Sequence, residues 1–409
     1  MIRIRPRLTA TTALVLLLAT AAITAPVAAQ DGSTHTVAQD GSGDFDTVGA
    51  AIEAAADGDT VLISPGRYEQ SLVLDKSLTL AGNGPREEIV IALEAEPERS
   101  PLYDFDYYMH ERGPAPVYAE GVDLVIEGLS IEGKGDEWPS LWVRGGNLQV
   151  SDLDTDEFIA IRDGATATIE GSRFGEIGLA ETGEVLIRDN EFRGGFAEAG
   201  SVGSVEDNVI VDHPFYIQSG SDFTISGNTI DNPESSGVEV LEPGSVGRII
   251  DNDISAGWVA VLIEFPESVL VEGNTIKGGD VGVVVLESDT VLRDNDISAE
   301  REVGLYTMGD GVLVEDNTIS GGRIGMQLDV QWEELPDHVV DLDQRTRIEG
   351  NSIEGASYFG VVIEGDVPAG SSGPSLEGNT ICAEREPLKI VGEPDPSIGT
   401  NDICQIAED

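Results

Sequence analysis

A six-residue phrase recurs through this chain and leaves little choice of architecture. Val314-Glu315-Asp316-Asn317-Thr318-Ile319 returns as Ile225-Ser226-Gly227-Asn228-Thr229-Ile230, as Val271-Glu272-Gly273-Asn274-Thr275-Ile276 and as Leu376-Glu377-Gly378-Asn379-Thr380-Ile381. Its asparagine stands at Asn190, Asn208, Asn228, Asn252, Asn274, Asn295, Asn317, Asn351, Asn379 and Asn401, and weaker copies put Leu129, Leu153 and Ser172 in that place. The step is about 23 residues, a period that belongs to stacked repeats and is too short for a four-stranded propeller blade. Around each asparagine, apolar residues alternate as in strands. The preceding Gly or Asp tolerates the left-handed backbone of a tight bend. Stacked asparagines can also bond their amides along the ladder. Thirteen or fourteen coils at about 4.8 Å predict a rod of about 60–70 Å.

A second strand precedes each asparagine by about thirteen residues, as in Gly237-Val238-Glu239-Val240 and Gly304-Leu305-Tyr306-Thr307. With Val238 and Val240 inward, the pleat sends Glu239, Leu262, Val284, Tyr306, Gln327 and Val362 outward in one column. Glu264, Leu286, Met308, Asp329 and Glu364 form the next column, and Trp142 and Arg144 take these places in the early coils.

The amino terminus reads as a removable leader. Arg3, Arg5 and Arg7 precede an apolar run, and Val27-Ala28-Ala29 offers a cleavage site, so residues 1–29 are a signal peptide and the domain is 30–409. No later segment is apolar for long enough to span a bilayer, so membrane insertion after cleavage is not expected. The product is expected to be secreted or held on the cell exterior. Val48, Ala51, Ile52 and Ala55 lie on one face of a short helix that Asp46 or Thr47 caps, and such a helix closes the end of a solenoid.

The segment Val37-Ala38-Gln39-Asp40-Gly41-Ser42-Gly43-Asp44-Phe45, this helix, and Pro65-Gly66-Arg67-Tyr68-Glu69 resemble the opening of pectinesterase-type right-handed parallel β-helix proteins. The later Gly/Asp-Asn-x-Ile copies resemble the repeats of NosD-like and carbohydrate-binding members of that superfamily. The resemblance implies an all-β, right-handed single-stranded parallel β-helix of the pectin-lyase-like type. It does not extend to esterase chemistry: the Gln-Ala, Asp-Phe-Ile-Phe-Gly and Gly-Arg-Pro-Trp stretches are missing, as is the Gly-His-Gly of polygalacturonases. One fold hosts many functions, so activity has to be argued from a site.

The period breaks twice, at about 85–122 and 329–346. The first insertion carries Tyr103-Asp104-Phe105-Asp106-Tyr107-Tyr108, and the second carries Trp332 and His338. Long loops on a regular scaffold are where function concentrates. Cys382 and Cys404 hold the same place in consecutive repeats. At an inter-strand spacing of about 4.8 Å their Cα atoms fall within disulfide range, so an exported chain is expected to bridge them; two buried thiols are the alternative.

Composition narrows the partner. Lys and Arg number 23 against 76 Asp and Glu, a formal charge of −53 spread through every repeat. This suits a surface adapted to high salt and disfavours nucleic acid. Diffuse calcium binding is the remaining alternative. The outer strip of Trp142, Arg144, Tyr306, Gln327 and Asp329, with Trp332 and His338 beside it, reads as a polysaccharide surface, because sugar rings lie on aromatic faces while carboxylates and amides hold hydroxyls. The alternatives are a NosD-like scaffold without activity and a calcium-dependent lyase or epimerase on uronate polymers, with Arg144 or Arg162 as base. His35, His110, His213 and His338 share no metal-binding spacing, and no residue is assigned a catalytic role. Oligomeric state is not legible.

Overall fold

In the computed structural model, which describes residues 32–93, 115–133, 139–309, 311–330, 346–366 and 373–406, the chain winds into a parallel β-solenoid of about 15 turns. A representative coil is built from Asp222–Ser226, Thr229–Asn232 and Val238–Leu241. Each strand pairs in parallel with its counterpart one coil on: Ile225 with Ile249, Ile230 with Ile254, and Val240 with Ile263. Three sheets therefore run the length of the molecule. The first precedes each asparagine, the second follows it, and the third carries the outward columns read from the sequence. The turn count exceeds the thirteen or fourteen expected because the first rungs, such as Asp59–Ile63 against Leu78–Gly82, stack before the asparagine phrase begins.

Alternation decides what is inside. Phe223, Ile225, Ile230, Val238 and Val240 are fully buried or nearly so and belong to one continuous core with their equivalents in other coils. Between the first and second sheets the backbone turns sharply. The residue before the asparagine takes the left-handed conformation, as Asp207, Gly227, Asp251 and Gly273 do. At Gly227 a side chain would also collide with the Asp207 carboxylate of the preceding coil.

The asparagines are buried and fully employed. Oδ1 of Asn274 accepts from both the backbone N–H and the side-chain amide of Asn252, at 2.8 and 3.0 Å. Its own amide donates to Asn295 Oδ1, to Ile249 O and to Glu272 O. The pattern repeats from Asn190 to Asn401. Ser172 begins it with a hydroxyl, accepting from Leu153 N–H at 3.0 Å.

At the amino-terminal end a helix, α1 (Val48–Ala54), is capped by Thr47, whose side chain accepts from Ala50 N–H. Val48, Ala51 and Ile52 join the core. That α1 closes the first coil is a proposal. Asp59 ties this end together, accepting from Ala56 and Ser33 backbone N–H groups and sitting 2.9 Å from His35 Nε2. These bonds, the Ala56 one foremost and His35 next, hold the Asp59 carboxyl down to about 2. Its folded value lies below the ordinary value of about 3.9, so its contribution to stability is complete above pH about 4 and is lost as pH falls through about 2. Asp59→Asn is expected to flatten the fall in melting temperature across that window; an unchanged pH profile would refute the assignment.

The strand Ile89–Ala92 is in register with Gly66–Glu69, so the ladder continues through these residues. Most of both expected insertions, and the leader at 1–29, lie outside the described residues. The expected disulfide is present: Cys382 and Cys404 are rung partners with Cα atoms 4.7 Å apart.

Candidate functional site

The strand registers confirm the outward column of the third sheet and extend it. It runs from Val73 through Tyr118, Trp142, Ala160, Gly178, Phe196, Tyr216 and Glu239 to Leu262, Val284, Tyr306, Gln327, Val362 and Lys389. On the first and second sheets, no Phe, Tyr or Trp of the described strands stands outward. There, Tyr68, Phe174, Phe192 and Phe223 all point into the core. One face of three thus carries the outward aromatic side chains of the strands.

That face holds two groups. Trp142 and Arg144 lie at its amino-terminal end, and Tyr306, Gln327 and Asp329 lie eight and nine rungs further on, about 40 Å away. Trp332 and His338 fall outside the described residues. In the distal group the Tyr306 hydroxyl is 3.4 Å from Asp329 Oδ2. Burial, then the Asp329 charge, raises the Tyr306 pKa above that of an ordinary phenol.

The amino-terminal group is denser than the sequence reading anticipated. Tyr118, Trp142, Phe158 and Ala160 form an apolar cluster separate from the core, with Phe196 packed on its edge. Phe158 and Phe196 stack at 5.9 Å between centroids, and their rings cover Gly178, where a side chain would collide with both. The glycine is what permits this platform.

Polar side chains flank it on both sides. On one side the rung order is Glu120, Arg144, Arg162, Ala180 and Glu198. The Tyr118 hydroxyl donates to Glu120 at 3.2 Å, Arg144 Nε bonds Asp163, and Gln218 reaches Glu198 at 3.4 Å. Burial disfavours the Arg144 charge, but the Asp163 bond and charge outweigh it and raise the pKa. Arg162 and Glu198 are both buried charged side chains. On the other side His213 Nδ1 meets Glu176 Oε1 at 2.9 Å, bridging two coils. Tyr216 and Glu239 are rung partners beside this pair. Burial raises the Tyr216 pKa, with the charges of Glu239 and then Glu176 adding to it. Burial also raises that of Glu239, against a bond from Ser236.

Chemically, this is an aromatic floor edged by bonded carboxylates, guanidinium groups and an amide. A carboxylate that holds one nitrogen of a histidine leaves the other to give or take a proton. Sequence reasoning found Trp142, Arg144, Arg162 and Glu239 but missed Tyr118, Phe158, Phe196, Tyr216 and the Glu176–His213 pair. Counting about twelve residues back from each ladder position reaches Tyr216, Phe196, Gly178 and Ala160, so part of the signal was present. The histidine pair was hidden because its members are 37 residues apart in sequence.

Residues 216–397 match the family model described as periplasmic copper-binding protein (NosD). No curated protein matches the chain in sequence. Solved structures with similar chain paths include the A-module of mannuronan C-5 epimerase AlgE6 from Azotobacter vinelandii, 19% identical over 87% of this chain and 94% of that one, with a TM-score of 0.45. They also include tailspike protein 3 of bacteriophage CBA120, 13% identical over 90% and 61% with a TM-score of 0.48. A third is the catalytic unit of a GH87 α-1,3-glucanase from Streptomyces thermodiastaticus strain HF3-3, 13% identical over 87% and 66% with a TM-score of 0.45.

Proposed function

We propose that this protein is exported and binds an extracellular polysaccharide along the outer face of its third sheet, at the platform between Tyr118 and Glu239. The observation that supports this most is the confinement of outward strand aromatics to that one face. A rod with a repeat of about 4.8 Å offers a linear polymer contacts at several successive coils. Aromatic floors take the apolar faces of sugar rings, and edge carboxylates, amides and guanidinium groups take hydroxyls. The acidic remainder of the surface suits an environment rich in salt, where screening limits its self-repulsion. Among the described residues no helix is long and apolar enough to cross a membrane.

The copper named in the matching family's description does not find a fitting donor set among the described residues. Cys382 and Cys404 are bonded to each other, and among the described residues no group of three or more His, Cys, Asp or Glu side chains is placed to hold a metal ion. Copper sites want clustered nitrogen and sulfur donors.

The test is a panel of acidic and neutral polysaccharides at molar salt, with and without calcium. Tyr216→Ala is expected to weaken binding of a retained member at least about tenfold, the loss of one stacking ring. Leu270→Ala, outward on the first sheet, should leave affinity unchanged. If no member binds the wild type, the reading fails and the scaffold alternative takes its place. The Glu176–His213 pair beside Tyr216 favours a second reading, in which the bound polymer is also processed. Release of unsaturated or shortened products by the wild type, abolished in His213→Gln with binding retained, would establish it; wild-type binding without product would exclude it.

A further inference from the structure

We infer that the indole N–H of Trp142 is a donor kept for an acceptor oxygen of the bound glycan, and so sets the orientation of the sugar on the platform. This rests on the polysaccharide reading above. Trp142 is 7% exposed, and its Nε1 is buried with no hydrogen-bond partner among the described residues. Buried indole N–H groups normally find an acceptor, because leaving one unpaired costs the full desolvation of the donor. The surroundings explain why none is available. Ala115, Phe158 and Ala160 offer no side-chain acceptor, and the neighbouring polar groups are already engaged with one another. The Tyr118 hydroxyl is bonded to Glu120, and the Arg144 guanidinium to Asp163.

A phenylalanine would supply the same kind of ring face without this cost. The donor is therefore the part of Trp142 that packing leaves unexplained, and it lies within the candidate site. Its burial means that a ligand reaches it only by displacing a group that now covers it. The shared chemistry of the ligand atom is an acceptor oxygen, either a sugar hydroxyl or a carboxylate.

Trp142→Phe separates donor from ring. Binding is measured with oligogalacturonate and oligomannuronate as acidic probes and with cellohexaose and xylohexaose as neutral ones. Thermal stability is recorded in parallel. For a probe that binds the wild type, affinity should fall about five- to fifteen-fold in Trp142→Phe, while melting temperature holds or rises because an unpaired buried donor has been removed. A fall with acidic probes alone identifies a carboxylate acceptor, and a fall with both kinds identifies a hydroxyl. Equal affinity in the variant, or a loss of affinity matched by a loss of stability, overturns the inference and leaves Trp142 as packing. Failure of every probe to bind the wild type overturns the polysaccharide reading itself. Should the variant not fold, the Trp142 indole N–H resonance of the wild type decides the matter. A downfield shift on saturation supports the role, and an unmoved signal removes it.

Discussion

Replacing Asn274 by alanine should destabilise the solenoid by about 2–4 kcal/mol, more than any single change on its surface. The alanine leaves the backbone N–H of Asn252 without the 2.8 Å bond it makes to Asn274 Oδ1, deep in a stack that water does not reach. It also removes three donations, to Asn295 Oδ1, Ile249 O and Glu272 O. Part of the loss is recovered because the Asn252 amide still bonds Ile225 O and Ile250 O, which is why the figure is not larger. A solenoid is stabilised by contacts between neighbouring coils, so a break in mid-ladder should uncouple the coils before it from those after it. Denaturant unfolding is therefore expected to shift and to broaden or split into two transitions. Thr275→Ala, at an exposed position of the same coil, is the control and should stay within about 0.5 kcal/mol. An Asn274→Ala protein as stable as that control would show that the ladder is decorative.

The second large effect is expected at the other end of the stack. Cys404→Ser opens a bridge of sequence separation 22, for which loop-closure entropy predicts a loss of about 2–4 kcal/mol. The location matters as much as the size. Among the described residues the last coil has a neighbour on one side only, and Ile398 and Ile403, which continue the inward rows of Leu376 and Ile381, are 42% and 46% exposed. Apolar burial alone holds this coil weakly. Loss of the bridge should thus appear first as rapid amide exchange and proteolysis after about residue 384, with the middle of the rod unaffected. Unchanged melting and unchanged protease resistance would mean that the strand pairing of the last coil is sufficient without the covalent link.

Much of the architecture was legible because the code for it is local and repeated. A bend that needs a left-handed residue accepts Gly or Asp. A buried position after it needs a side chain that can both donate and accept, and asparagine does both. Apolar residues at alternate places do the rest. The cysteine pair was legible for the same reason, since equal places in consecutive repeats lie one strand spacing apart. The early coils were harder. Leucine or serine holds the ladder position there.

The site was only partly legible, because its members are joined across coils. Alternation placed Trp142 and Arg144 outward, but nothing in the chain order says that Phe158 and Phe196 stack over Gly178, or that His213 finds Glu176. It also grouped Trp142 with Tyr306 and Asp329, which share its columns yet stand about 40 Å away.

The repeat, the bend at each asparagine, the inward and outward sets and the covalent staple were legible in the chain alone, because each follows from short-range alternation and a fixed period. Which outward residues meet was settled by the fold. Stacking adds one strand spacing per coil, so contacts depend on the summed lengths of intervening coils, which vary from 18 to 34 residues between ladder asparagines. Small changes in coil length move a side chain to a different neighbour without disturbing the repeat. That is why the rod could be read from the chain, whereas the aromatic floor, its polar edges and the unpaired indole of Trp142 could not.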